Sequence, residues 1–376
     1  MAENTINTAS APYVVMVKPV GSRCNMRCRY CYYLDNPEQS ESSCMSHETL
    51  RDLILQHTHT CPGRVVSFVW HGGEPTLAGL DFYREAVRLQ KELCPPEKEV
   101  WNNLQTNGLA LNEEWCSFLA EEHFDVGLSL DGSKLTHDAL RRDAGGRATY
   151  ARIVRNVRLL QEKGLQPDLL CTVNEETQKD PLGVYRALKE LGTGWIQFIP
   201  VICEGNAPGT DGENYGSFLR VIFEEWLKHD IGICDVQLFA ETMMVLMGGH
   251  PSLCTLQETC GRALVVEKDG RIYACDHYVR KDCCRGSLQE GLYQAVEDPA
   301  QKAFGEAKRG LLSADCQQCP YLVFCRGGCL KDRREGRYLL CEGMKKYYET
   351  ALPKLQELIA LRRQRKSVEE IRKHFA

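Results

Sequence analysis

Six short runs rich in β-branched and aromatic residues alternate with six amphipathic stretches over the first two-thirds of the chain, and few folds accommodate that order. The runs are Tyr13–Lys18, Val65–Trp70, Glu99–Gln105, Val126–Leu130, Leu169–Val173 and Trp195–Ile199, with helices expected near 47–60, 81–93, 112–122, 149–163, 181–191 and 215–229. Strand–helix repetition implies right-handed βαβ units and a parallel sheet. Six units rather than eight predict an α/β fold built on a partial (β/α)6 TIM-like barrel, whose chemistry gathers at the C-terminal ends of the strands. Alternation stops and cysteine density rises around 231–253, which sets a boundary there. The expected organisation is a loose polar arm over 1–11, the barrel over 12–232, a cysteine-rich extension over 233–350 and a helical tail over 351–376. Within the extension, Ala263–Tyr273 reads as a β-hairpin on a two-residue Asp269-Gly270 turn. In the charged tail, the run Arg362-Arg363-Gln364-Arg365-Lys366 reads as a solvated helix face.

Twenty cysteines in 376 residues are a large excess. The first residues lack the charged and apolar regions of a secretory signal, so a cytoplasmic location is expected, where disulfides are rare. The hydrophobic and charged fractions, 43% and 26%, are those of an ordinary globular protein, and a net charge of −5 exerts no pull toward nucleic acid or acidic membrane. No apolar run is long enough to span a bilayer. The cysteines are therefore metal ligands, catalytic groups or small buried hydrophobes. Cys44, Cys61, Cys94, Cys116, Cys171, Cys203 and Cys234 stand singly and suit burial, whereas eight between Cys254 and Cys341 crowd the last third and suit ligation. Cys283 and Cys284 fall outside any spacing pattern.

Cys24, Cys28 and Cys31 form a C-x3-C-x2-C run directly after the first strand, at the reactive face of the expected barrel. Three thiolates hold three irons of a four-iron cube and leave the fourth iron open, whereas cluster sites are usually closed by four cysteines. The alternative, a structural zinc loop, prefers four ligands in paired C-x2-C knuckles. Short polar elements stand at three later strand ends: His71-Gly72-Gly73-Glu74-Pro75, Gln105-Thr106-Asn107-Gly108 and Ser129-Leu130-Asp131-Gly132. Adjacent glycines let the backbone approach a ligand closely. Asn-Gly and Asp-Gly alone are ordinary turn formers, but on successive strands of one barrel they build a binding rim. Arg141 or Arg142 follows closely enough to neutralise a carboxylate.

These motifs resemble those of the radical S-adenosylmethionine (SAM) enzymes. The resemblance implies that Cys24, Cys28 and Cys31 carry a [4Fe–4S] cluster whose open iron binds SAM, and that the cluster cleaves SAM to a 5′-deoxyadenosyl radical. It implies SAM contacts from Tyr30, Gly72, Gly73, Glu74, Asn107, Ser129, Asp131 and Arg141. Cys316-x2-Cys319-x5-Cys325-x3-Cys329, then Cys341, with Cys254, Cys260 and Cys275 upstream, resembles the SPASM extension of peptide-modifying members. Spacing alone leaves the partition of these eight open, and a pair of zinc sites is the alternative. The family pattern assigns Cys254, Cys260, Cys275 and Cys329 to a first auxiliary cluster and Cys316, Cys319, Cys325 and Cys341 to a second, three [4Fe–4S] clusters in all.

Within that group the chain resembles the anaerobic sulfatase-maturating enzymes, through Cys31-Tyr32-Tyr33, Leu104–Gly108 and Tyr273-Ala274-Cys275-Asp276-His277-Tyr278. His71 departs from their pattern, in which glutamine stands before the glycine pair. The resemblance implies oxidation of a cysteine or serine in an unfolded sulfatase, in a Cys/Ser-x-Pro/Ala-x-Arg type motif, to Cα-formylglycine. It implies Asp276 as general base, Tyr33 near substrate and SAM, an auxiliary cluster as electron acceptor and a flavodoxin- or ferredoxin-type donor. A carboxylate excluded from water beside a cluster is expected to have a raised pKa. The rival readings are a peptide-crosslinking SPASM enzyme, which often carries an N-terminal recognition domain where this chain has about twelve residues before its first strand, and a zinc-binding module without activity.

Overall fold

The strands that apolar patterning marks out assemble into one sheet in the computed structural model, which describes residues 7–34, 44–202 and 208–376. Cys203 and residues 1–6 of the N-terminal arm lie outside them. The strands are β1 (Val14–Lys18), β2 (Val65–Trp70), β3 (Glu99–Thr106), β4 (Asp125–Ser129), β5 (Asp168–Val173), β6 (Trp195–Pro200), β7 (Asp235–Val236), β8 (Ala263–Glu267), β9 (Arg271–Tyr273) and β10 (Cys284–Ser287). Their order is β10-β9-β8-β1-β2-β3-β4-β5-β6-β7. From β1 to β7 every neighbour is parallel. The alternation does not stop at 231: β7 adds a short seventh strand to β6, and helix Gln237–Leu246 follows it. Helix Lys134–Leu140, capped by Ser133, also fell outside the periodicity reading.

Alternate strand residues such as Val15, Val17, Phe68, Trp70, Leu104, Leu128 and Leu169 are wholly buried beneath the flanking helices. The intervening ones, Met16, Val69, Gln105, Ser129 and Thr172, are half-buried on the opposite, concave face. Lys18 shares that face and ends β1, yet it is fully buried.

The cysteine-rich extension continues the barrel sheet. β8 lies parallel on β1, with Val14 opposite Ala263 through Lys18 opposite Glu267. β9 returns antiparallel, pairing Val266 with Ile272. The connection is a three-residue loop rather than the two-residue turn read from Asp269-Gly270: the Gly270 N–H bonds Glu267 O at 2.9 Å, and Gly270 takes φ +83°. A type I turn closed by a left-handed glycine is the usual three-residue solution. Helix Cys341–Arg363 packs Tyr347, Ala351 and Leu355 against helix Gly212–His229. The Arg362–Lys366 run is exposed. Ala9 N–H bonds Thr60 O, and Ser10 bonds Glu297. No helix among the described residues is long and apolar enough to cross a membrane.

Candidate active site

The loop that leaves β1 carries Cys24, Cys28 and Cys31, and backbone bonds strap it to the loop after β4. Arg27 N–H bonds Arg142 O at 2.8 Å, Arg29 N–H bonds Leu140 O at 3.1 Å, and Ala144 N–H bonds Asn25 O at 2.9 Å. The three thiols stand close enough to act on one another's charge: burial first, then Glu74, Cys28 and Cys31 against a bond from Met26 N–H, push the Cys24 thiol up to about 12. Burial also raises Cys28. Thiols held protonated must release protons when they take a metal.

Gly72 and Gly73 make their close approach to this loop rather than to open space. A Cβ on Gly73 would stand 2.3 Å from Arg23 O and 2.5 Å from Ser22 O. Gly73 N–H bonds Gly21 O, and Glu74 N–H bonds Arg23 O. The Glu74 carboxylate is likewise spent inside, accepting from Thr76 N–H and Oγ1–H, Thr106 Oγ1–H and Asn107 N–H at 2.6–3.1 Å. These bonds lock the ends of β2 and β3 to the cysteine loop, whereas the SAM contact expected of Gly72, Gly73 and Glu74 is one of their backbone. Asn107 Nδ2 reaches Asn25 Oδ1 at 2.8 Å and Cys24 Sγ at 3.7 Å.

Beyond β4, Asp131 is fully buried and accepts from Tyr30 Oη at 2.5 Å and from Thr172 N–H at 2.8 Å. Arg141 Nη1 donates to Tyr30 Oη at 2.7 Å. Arg142 is exposed, so Arg141 is the arginine in the site. Ser129 Oγ accepts from Gln105 Nε2 at 3.3 Å.

On the other side of the cysteine loop, β1 and β8 end together and bring Lys18, Tyr33, Glu267 and Asp276 into one cluster. Lys18 pairs with Asp276, and its ammonium lies 3.5 Å from the centre of the Tyr33 ring. Tyr32 donates to Asp276, and Tyr33 donates to Glu267. His71 Nδ1 is 3.9 Å from Asp276. The expected rise in the Asp276 pKa is reversed. Burial raises it, but Lys18, His71 and His277 together outweigh burial and hold the carboxyl far below its ordinary range. Lys18 and Glu267 are not legible as site residues in the sequence, because a charged residue ending a strand reads as solvent-facing, and Tyr32 shows only as part of the Cys31-Tyr32-Tyr33 run. Only the parallel β1–β8 register could have revealed them.

The downstream cysteines gather in two groups. Cys260 and Cys329 feel Cys254, Cys329 feels Cys260, and Cys275 feels Cys254 and Cys329. Cys325 feels Cys341, Cys316 and Cys319, and these four line one cavity. Cys283 is buried and Cys284 lies in β10, apart from both groups. Among the described residues, no three His, Cys, Asp or Glu side chains converge on a single metal-ion position. Three thiols at the barrel loop and two all-thiol quartets are donor sets of the kind that hold iron–sulfur clusters. Arg141 Nε, buried without a hydrogen-bond partner, fits a carboxylate beside Cys28.

Residues 19–188 match the radical SAM superfamily. The serine-type anaerobic sulfatase-maturating enzyme of Bacteroides thetaiotaomicron is 33% identical over 94% of this chain and 92% of its own length. The cysteine-type enzyme of Clostridium novyi is 30% identical over 91% of this chain and 96% of its own. The solved structure of native anSMEcpe with bound AdoMet and Cp18Cys peptide superposes with a TM-score of 0.85 at 28% identity, covering 92% of this chain and 99% of that one.

Proposed function

Because the chain belongs to the anaerobic sulfatase-maturating enzymes of the radical SAM superfamily, we propose that it oxidises a cysteine or serine of a sulfatase to Cα-formylglycine with the Lys18–Asp276 pair at the centre of the substrate site. The observation that carries this reading is the carboxylate of Asp276, the residue after Cys275, largely buried against the loop after β1 with Lys18 on one oxygen and Tyr32 on the other.

In this reading Cys24, Cys28 and Cys31 hold the SAM-binding cluster, and the backbone of Gly72, Gly73 and Glu74, with Arg141, Asn107 and the rim of Tyr30, Ser129 and Asp131, surrounds SAM. Cys254, Cys260, Cys275 and Cys329 hold one auxiliary [4Fe–4S] cluster, and Cys316, Cys319, Cys325 and Cys341 hold another. Bound there, SAM and a reduced cluster supply hydrogen-atom abstraction from the substrate Cβ. Asp276 accepts the proton of the substrate thiol or hydroxyl, and the one electron left at Cβ would pass to an auxiliary cluster; a thioaldehyde formed from cysteine then exchanges its sulfur for water's oxygen, releasing hydrogen sulfide. Lys18 fixes the direction of the carboxylate, and Tyr33 packs over the Lys18 ammonium. Tyr32, half-exposed, stands between Asp276 and solvent.

The finer assignments belong to the same proposal: a Cys/Ser-x-Pro/Ala-x-Arg type motif in the substrate, a flavodoxin- or ferredoxin-type donor and work in the cytoplasm. Residues 12–232 act as the radical-generating barrel, 233–350 as the auxiliary-cluster unit and 351–376 as a helical tail. The test is incubation of reconstituted enzyme with SAM, a reductant and a peptide bearing that motif. A mass loss of about 18 Da from cysteine or about 2 Da from serine, with aldehyde reactivity and dependence on Cys24, is expected. A crosslinked product, or unchanged peptides of both kinds, would overturn it.

A further inference from the structure

The turn that joins the two cysteine quartets is built around one guanidinium. Cys325, Arg326, Gly327, Gly328 and Cys329 are consecutive, and the quartets take one cysteine from each end of this run. Arg326, Gly327 and Gly328 all hold left-handed φ, at 49°, 70° and 62°. Three such residues in a row, the first not a glycine, need support from their surroundings. The support is Arg333. Its Nε donates to Gly327 O at 2.7 Å, Nη2 to Arg326 O at 2.9 Å and Gly328 O at 3.4 Å, and Nη1 to Lys308 O at 2.6 Å. A Cβ on Gly327 would stand 2.8 Å from Nη2, and one on Gly328 2.6 Å from the Tyr338 ring.

Every one of these bonds ends on a carbonyl oxygen, and the groups whose charge acts on Arg333 include two cysteines from each quartet, Cys316 and Cys325, Cys329 and Cys260, with the Lys308 ammonium also nearby. A carbonyl cradle fixes the fork while leaving its positive charge for the groups around it. Resting on the reading that each quartet holds a four-iron cluster, we propose that Arg333 is the counter-cation shared by both auxiliary clusters and that it raises the reduction potential of each. A cube on four thiolates is an anion that gains one more negative charge when it takes an electron. A fixed cation held in a half-buried position stabilises that reduced form. One charge between two clusters moves both potentials in the same direction, so an electron taken up at one is not trapped there.

The test is an EPR-monitored redox titration of the full-length chain, with Cys24, Cys28 and Cys31 replaced by alanine so that only the auxiliary sites contribute. Held at the parent protein's midpoint, R333Q is expected to keep its iron while the reduced-to-oxidised ratio of both clusters falls roughly tenfold, about 59 mV for a one-electron couple. R333K, which restores the charge without the fork, is expected to recover most of that shift. Unchanged potentials in R333Q, or a shift in only one cluster, overturn the proposal. If R333Q loses iron, R333K decides: parent-like potentials support the proposal, and R333K that is shifted like a neutral variant, or also empty, leaves only a structural role and overturns it. Absence of auxiliary iron in the parent protein would instead sink the cluster reading itself.

Discussion

Lys18 carries the argument at the scale of single residues. A lone ammonium taken wholly out of water costs several kcal/mol, and breaking a buried pair costs about 3–5 kcal/mol because the survivor is left uncompensated. Lys18 and Asp276 therefore depend on each other, although they lie far apart in sequence and the β1–β8 register brings them together. Lys18→Met removes the group that orients the carboxylate without touching Cys24, Cys28 or Cys31. Assays of both products should show 5′-deoxyadenosine still released from SAM while aldehyde formation falls about a hundredfold, the usual cost of a small misplacement near the reacting atoms. A parallel loss of both products would assign Lys18 to SAM binding instead. Asp276 and Tyr33 were legible through the motif that holds them. Lys18 was not, since nothing local distinguishes a strand-ending lysine that is buried from one that is solvated.

Elements supply the rigidity that the cysteine loop lacks by itself. The end of β2 presses Gly72-Gly73 onto Ser22 and Arg23, so Gly73→Ala must displace the backbone that delivers Cys24. Iron analysis of that variant should show a loss of roughly four irons from about twelve, with the auxiliary clusters retained; full iron content would show that the loop tolerates the shift. Beneath the same strand, His57 of helix His47–Thr60 is wholly buried between Tyr13 and Phe68, with Nε2 3.0 Å from Ser67 O. Burial lowers its pKa from 6.5 to about 4. The unfolded chain thus binds a proton that the folded chain refuses between about pH 6.5 and 4, and stability falls as pH drops through that window, by up to about 3 kcal/mol. Denaturant unfolding at pH 7 and 5 should show a smaller acid loss for His57→Gln than for the parent; equal losses would contradict the assignment. Strands β1 to β6 were legible almost to the residue because each is a short run carrying β-branched or aromatic residues and followed by turn or polar residues. β7, with two residues, and helix Lys134–Leu140, with seven, are too short to show a period.

Across the whole molecule, the arrangement depends on one long-range pairing. β8 closes onto β1, so the residue after Cys275 comes to the mouth of the barrel whose first loop holds Cys24, Cys28 and Cys31. The sequence revealed the two cysteine-bearing regions separately, and spacing left the partition of the eight downstream cysteines open. The fold gathers Cys329 with Cys254, Cys260 and Cys275 because the left-handed turn after Cys325 sends it away from Cys316 and Cys319. The expected rise in the Asp276 pKa failed for the same non-local reason, since Lys18 of β1 and His71 after β2 act on it together with His277. The proposed function divides the work between a loop that starts the reaction at Cβ and a carboxylate that finishes it. The most direct test of that division uses a substrate peptide deuterated at the target Cβ, offered to the parent enzyme and to Asp276→Asn. Both proteins should place deuterium in 5′-deoxyadenosine, and only the parent should yield the aldehyde. Aldehyde formed by Asp276→Asn at the parent rate, or no deuterium transfer by either protein, would contradict the account.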